Sequence, residues 1–243
     1  MKIVLFGASG MVGQGVLREC LLDRDVSEVL SIARRPSDRR HEKLREVMHA
    51  DFSNFSALQA QLTDVNACFF CLGVSSAGMS EAEYRRVTHD FTLRAAEVLA
   101  RQSPKLTFVF VSGAGTDSSE QGSSMWARVK GQTENALLRL PLGAVYLFRP
   151  ALIQPLHGIT SRTGVYRFFY ALLGPLVPAF GAVFPKLFTT TERIGQAMLQ
   201  AAKRGAPKPI LDSADINALA ALATASAAAS AAAAAAVAAP PHA

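Results

Sequence analysis

The chain opens on an apolar run, Ile3-Val4-Leu5-Phe6, followed at once by glycines at positions 7, 10 and 13. Four large apolar residues in a row read as a strand buried on both faces, the situation of strands in a parallel sheet. Beyond the glycines, Val12, Val16, Leu17 and Leu21 recur at helical spacing. Strand, glycine turn and helix in this order constrain the fold strongly, because the helix must return over the strand to reach a second, parallel one. Gly7 permits the tight turn, Gly10 lets main chain approach a pyrophosphate, and Gly13 lets the helix lie close to the sheet. The amides of Gly7, Ala8, Ser9, Gly10, Met11, Val12 and Gly13, with the positive end of the helix dipole, are the expected cradle for a dinucleotide. The competing reading is a glycine-rich turn without a ligand.

The next strand, Val29 to Ala33, should end where the adenosine ribose lies. A carboxylate there suits the 2′-hydroxyl of NAD, whereas arginine accommodates the 2′-phosphate of NADP. The sequence runs Ser31-Ile-Ala-Arg34-Arg35-Pro36, with no carboxylate at the tip. NADP is therefore expected over NAD, with Arg34 the principal contact and Arg35 beside it. Alternatively the two arginines belong to a solvated basic loop that continues through Arg39, Arg40, Lys43 and Arg45. A third strand, Glu46 to Ala50, leads to Asp51-Phe52. Asp51 could take the adenine amino group or cap a helix starting near Ser53, and the sequence leaves both open. After a short helix (57–62) and a fourth strand (66–72), the small residues from Leu72 and Gly73 to Ser76 should leave room for the nicotinamide half of the cofactor.

Composition narrows the partners. Lys and Arg number 25 against 19 Asp and Glu, a net charge of +6. An excess of this size suits a phosphorylated small ligand, and no motif for nucleic acid accompanies it. With nothing ahead of the first strand to serve as a signal peptide, the expected compartment is cytoplasmic. Three cysteines do not suggest a disulfide framework. Cys68 and Cys71 have CxxC spacing, but on a strand they would point to opposite faces and share no metal.

Further along, Glu81 to Arg101 reads as one long helix, on which His89 is exposed or capping. Leu106 to Val111 is a fifth strand, leading into Ser112-Gly113-Ala114-Gly115. Trp126 and Lys130, four apart, share a helical face. Ala144 to Phe148 is a sixth strand, ahead of Arg149-Pro150. With Gly7-x-x-Gly10-x-x-Gly13, Cys71-Leu72-Gly73, Val129-Lys130-Gly131 and Phe148-Arg149-Pro150 in place, residues 2–212 resemble the short-chain dehydrogenase/reductase superfamily. The resemblance is to its extended or atypical, epimerase/dehydratase-like section, in the branch related to the Tat-interacting-protein oxidoreductases. It implies an α/β fold, a Rossmann-type doubly wound parallel sheet with a small C-terminal substrate-capping region.

The resemblance also implies an active site built of serine, tyrosine and lysine. Lys130 matches the lysine that holds the nicotinamide ribose, and Ser112 lies where a serine orients the substrate oxygen, although Gly113 takes the aligned place. Thr88 stands near the family's helix asparagine. The tyrosine's place holds Trp126, whose indole cannot accept a proton. Ser112, Thr116, Tyr166 or an ordered water would have to move the proton instead.

Residues 151–188 should form a substrate roof, with two short helices over the uncharged stretch Phe168 to Pro185; a membrane-surface or partner-binding patch over 165–188 is the alternative. Thr189-Thr-Thr-Glu192 has capping-box form and should begin a helix that stops at Gly205, and Pro209 to Leu211 could add a strand. The Ala- and Ser-rich stretch 213–243 is expected outside the fold, against the alternative of a packed terminal helix. The chain should act as an NADP-binding oxidoreductase or epimerase-like protein on a small, partly apolar substrate, or else be a non-catalytic NADP-binding sensor or interaction module.

Overall fold

A computed structural model describes residues 1–37, 39–159 and 187–238, with side chains to residue 226. Seven strands form one parallel sheet: β1 (Lys2–Phe6), β2 (Glu28–Ala33), β3 (Leu44–Met48), β4 (Ala67–Phe70), β5 (Thr107–Val111), β6 (Ala144–Arg149) and an edge strand β9 (Ile210–Asp212). Their spatial order is β3-β2-β1-β4-β5-β6-β9. The direction of winding reverses between β1 and β4, and in open α/β sheets the ligand crevice lies above such a switch point. The doubly wound expectation holds.

Ile3, Val4, Leu5 and Phe6 are all fully buried, because helices cover both faces. On one side Ile3 and Leu5 pack with Val16 and Leu17 of α1 (Met11–Leu22) and with Ile194 and Met198 of α5 (Thr191–Arg204). On the other, Val4 and Phe6 meet Leu58 and Leu62 of a 3-10 turn (Ser56–Leu62) and Ala95 and Leu99 of α3 (Phe91–Gln102). Cys20 and Cys71 belong to the first core and Cys68 to the second, as strand alternation required. All three thiols are free, and burial pushes each upward, which makes them poor nucleophiles. The α1–α5 contact is very close: a Cβ on Gly15 would stand 2.6 Å from Thr191, and one on Gly195 2.6 Å from Cγ of Glu19.

Several expectations need correction. β3 begins at Leu44 and ends at Met48, and β4 stops at Phe70. The long helix is α2 (Glu81–Arg85) and α3 joined by a π-turn, Arg86–Asp90. The cap of α5 is Thr190, which accepts the Arg193 N–H, rather than Thr189; Glu192 instead bonds His157 and, at 3.3 Å, Gln196. A parallel pair that the sequence did not announce, β7 (Leu152–Gln154) with β8 (Phe188–Thr190), sets Leu152 beside Phe188 and Gln154 beside Thr190. The expected roof falls mostly on 160–186 and lies outside the described residues, as does Tyr166. The Ala-rich segment forms α6 (Ser213–Ala238). Its start is not outside the fold, because Ile216, Leu219 and Ala220, at i, i+3 and i+4, are buried against the first core. Among the described residues no helix is long and apolar enough to cross a membrane.

Candidate cofactor site

The switch point is shaped by glycines. Gly7 leaves β1 at φ +79°, where a Cβ would lie 2.6 Å from the carbonyl carbon of Cys71 and the amide of Leu72. Strand β1 and the end of β4 can meet there only because that side chain is missing. A Cβ on Gly13 would stand 2.0 Å from the Gly7 carbonyl oxygen, so α1 lies directly on the turn. Gly10 donates its N–H to the Gly7 carbonyl (2.9 Å) and forms the N-cap of α1, with no side chain over the helix end and no acid in the first turn. A helix start built this way offers N–H groups and a positive dipole end to an anion.

Above it opens a crevice of about 1080 Å³, lined by Gly7, Ala8, Ser9, Leu72, Phe52, Arg34 and Arg35 among others. Arg34 and Arg35 are exposed at the end of β2. The fold adds a residue that the sequence reading missed. Parallel pairing sets Glu46 of β3 opposite Ser31 of β2, and Glu46 lines the same crevice with Ser37 and Arg39. Its Oε2 accepts the Ser37 N–H at 3.2 Å, which ties the arginine loop to β3. Only the strand register could have revealed it. Ser31, fully buried below, has a hydroxyl without a partner among the described residues.

Asp51 is spent locally. Its Oδ1 accepts the Ser53 N–H (2.9 Å) and the Ser53 hydroxyl, and these bonds hold its carboxyl below the usual range. It closes a turn ahead of Ser56 and does not line the crevice, whereas Phe52 does, packed edge-on against Phe6 with centroids 6.1 Å apart. Gly73 faces open space.

Outside the lining of this crevice, the loop after β5 meets α4 (Met125–Leu138). The Ser112 hydroxyl turns inward, is buried, and donates to the Phe148 carbonyl at 3.2 Å. In this structure the hydroxyl expected to orient a substrate oxygen is engaged with the main chain, and the serine's carbonyl accepts from Lys130 Nζ. Thr116 donates to the Gly113 carbonyl at 2.7 Å. The rim of the Trp126 indole lies against Gly115, where a Cβ would come within 3.3 Å of Cη2. Gly131 admits the Asp117 carbonyl, which would stand 1.7 Å from a Cβ. Thr88 is buried in the π-turn. Loss of water pushes the Lys130 ammonium down to about 8, against the opposing pull of Glu134.

These features fit a dinucleotide: a cradle that side chains would fill, an uncapped helix start and guanidiniums in the same crevice, with a buried lysine outside its lining on α4. A family described as NAD(P)H-binding matches residues 7–138. Protein fmp52, mitochondrial, of Emericella nidulans is 28% identical over 181 residues, 71% of this chain and 76% of that protein. Protein HTATIP2 of Rattus norvegicus is 28% identical over 154 residues, and the match spans 63% of this chain and 62% of that protein. In fold the chain resembles MoeE5 in complex with UDP-glucose and NAD (TM-score 0.61, 16% identity, covering 87% of this chain and 75% of that one). It also resembles WbmF of Bordetella bronchiseptica in complex with NAD+ (TM-score 0.63, 16% identity, 89% and 76%). The short-chain dehydrogenase/reductase resemblance read from the motifs is thus borne out. The chain belongs to the NAD(P)H-binding family whose pattern its residues 7–138 carry.

Proposed function

We propose that the protein is an NADP-binding oxidoreductase or epimerase-like enzyme for a small, partly apolar substrate. The observation that carries this reading is the presence of Arg34 and Arg35 in the same crevice as the glycine corner. Main-chain amides from Gly7 to Gly13 take the diphosphate, and the guanidinium of Arg34, assisted by Arg35, takes the 2′-phosphate through charge-assisted hydrogen bonds. Phe52 and Leu72 wall the adenosine side, and the open space at Gly73 admits the nicotinamide. Lys130 holds the nicotinamide ribose, its ammonium fixed by the Ser112 carbonyl. When bound, the reduced nicotinamide supplies hydride.

One further reading has a specific observation behind it. Trp126 in the tyrosine's place and the inward Ser112 hydroxyl suit a non-catalytic module in which the cofactor stabilises a surface. Incubation with NADPH and a panel of ketones, aldehydes and nucleotide sugars, followed by NADPH absorbance, separates the two. The enzyme reading expects consumption with at least one carbonyl class, and silence across the panel with cofactor bound favours the module.

A further inference from the structure

The proposed reaction needs a group that exchanges a proton with the substrate oxygen, and the described residues leave few. Trp126 has no basic site. The Ser112 hydroxyl is buried and donates to Phe148, and Thr116 donates to Gly113. Tyr84 is 2% exposed, and the Tyr146 phenol oxygen accepts the Ala206 N–H at the far edge of the sheet. Lys130 remains. Its Nζ donates one hydrogen to the Ser112 carbonyl, and an ammonium has two more. A Cβ on Gly113 would lie 3.8 Å from Nζ. In this chain that position is glycine, so residue 113 itself sets no side chain beside the ammonium.

Resting on the oxidoreductase reading above, we infer that Lys130 Nζ itself gives and takes the proton at the substrate oxygen, on the side where position 113 carries no side chain. In reduction the carbonyl carbon gains a hydride from the reduced nicotinamide, and its π pair passes to oxygen. The oxygen takes a proton from Lys130, which becomes a neutral amine and recovers a proton from solvent. Oxidation runs the same exchange backwards, with the neutral amine accepting the alcohol proton.

The surrounding charges permit it. Glu134, one turn along α4, is committed to Arg149 at the end of β6. The Asp117 carboxylate is held by Ser119 and Gly122. From α2, Glu81 pairs with Arg128 and Arg85 bonds Gln132. With an ammonium lowered to about 8, both protonation states are accessible near neutral pH, the condition for efficient general acid–base work.

Two measurements test it. Competitive acetylation of the cofactor-free protein with acetic anhydride across the alkaline range, read by peptide mass spectrometry, should give Lys130 a midpoint near 8, against about 10.4 for an exposed lysine. A midpoint in the ordinary range overturns the proposal. Lys130→Arg keeps the cation but cannot release a proton. It should still bind NADPH while losing about 100-fold or more of any turnover found in the carbonyl panel. Wild-type kcat/KM for reduction should fall as pH rises through 8. Turnover that survives in Lys130→Arg overturns the proposal alone, whereas silence of the wild type with NADPH bound overturns the oxidoreductase reading and takes the proposal with it.

Discussion

Arg149, the last residue of β6, grips Glu134 of α4 with its Nε 3.1 Å from both carboxylate oxygens and its Nη2 on one of them. The Glu134 side chain is 1% exposed. The same guanidinium reaches Ser118 Oγ at 2.6 Å, so one side chain fastens the helix bearing Trp126 and Lys130 to the sheet and to the loop after β5. Burying the Glu134 carboxylate is costly, and the two-pronged contact with the Arg149 guanidinium offsets that cost.

Removing one partner should therefore cost more than removing both. Arg149→Met leaves the Glu134 carboxylate buried and unpaired, an expected loss of about 3–5 kcal/mol in urea unfolding. The double variant Arg149→Met/Glu134→Leu should recover most of it. Equal losses in single and double variants would contradict this role.

The glycines should separate stability from binding. An alanine at Gly13 drives a methyl into the Gly7 carbonyl, 2.0 Å away and part of the main chain. Gly13→Ala should cost about 1–3 kcal/mol and weaken NADPH binding together. At Gly10 the nearest atom to a Cβ is 3.3 Å away, so Gly10→Ala should lose under about 1 kcal/mol. It should still bind NADPH poorly if, as proposed, the diphosphate rests on this turn, because the methyl would crowd it. Calorimetry paired with a cofactor titration reads both quantities.

Charge at the ribose corner should set cofactor choice. Arg34→Gln is expected to weaken NADPH about 10- to 100-fold, the worth of charge-assisted bonds, and to leave NADH nearly unchanged. Glu46→Gln should act in the opposite sense, strengthening NADPH by removing a like charge from the crevice proposed to receive the 2′-phosphate. Both effects should shrink as salt is raised.

Lys130 gives a signed pH dependence. Its ammonium is lowered in the folded protein to about 8, while the unfolded chain holds that proton to about 10.4. Between these values the unfolded state binds more protons, so this group adds stability as pH rises from 8 to 10.4 and adds no further change above or below that window. Relative to Lys130→Met, the cofactor-free wild type should gain stability across that interval. A constant difference between the two unfolding curves would contradict the lowered ammonium.

Strands such as Ile3–Phe6 and Phe108–Val111 were legible because burial on both faces leaves an unbroken apolar run. The glycine corner was legible because its three constraints sit within seven residues. Glu46 was not, since it reaches the crevice only through the β2–β3 register. The inward turn of the Ser112 hydroxyl depends on the Phe148 carbonyl, 36 residues away. The π-turn hid within an uninterrupted apolar spacing, with Val87 and Phe91 still four apart. The docking stripe of α6 is only Ile216, Leu219 and Ala220, a signal easily lost in an alanine-rich background.

The central claim is that main-chain amides past β1 hold the diphosphate of a cofactor whose 2′-phosphate rests on Arg34. Titration of the protein with NADPH and, separately, NADH, followed through the fluorescence of its single tryptophan, Trp126, tests it most directly. The account predicts saturable quenching by both, with NADPH at least tenfold tighter and that advantage abolished by Arg34→Gln. No quenching or other sign of binding by either nucleotide, or equal affinities unaffected by Arg34→Gln, would contradict it.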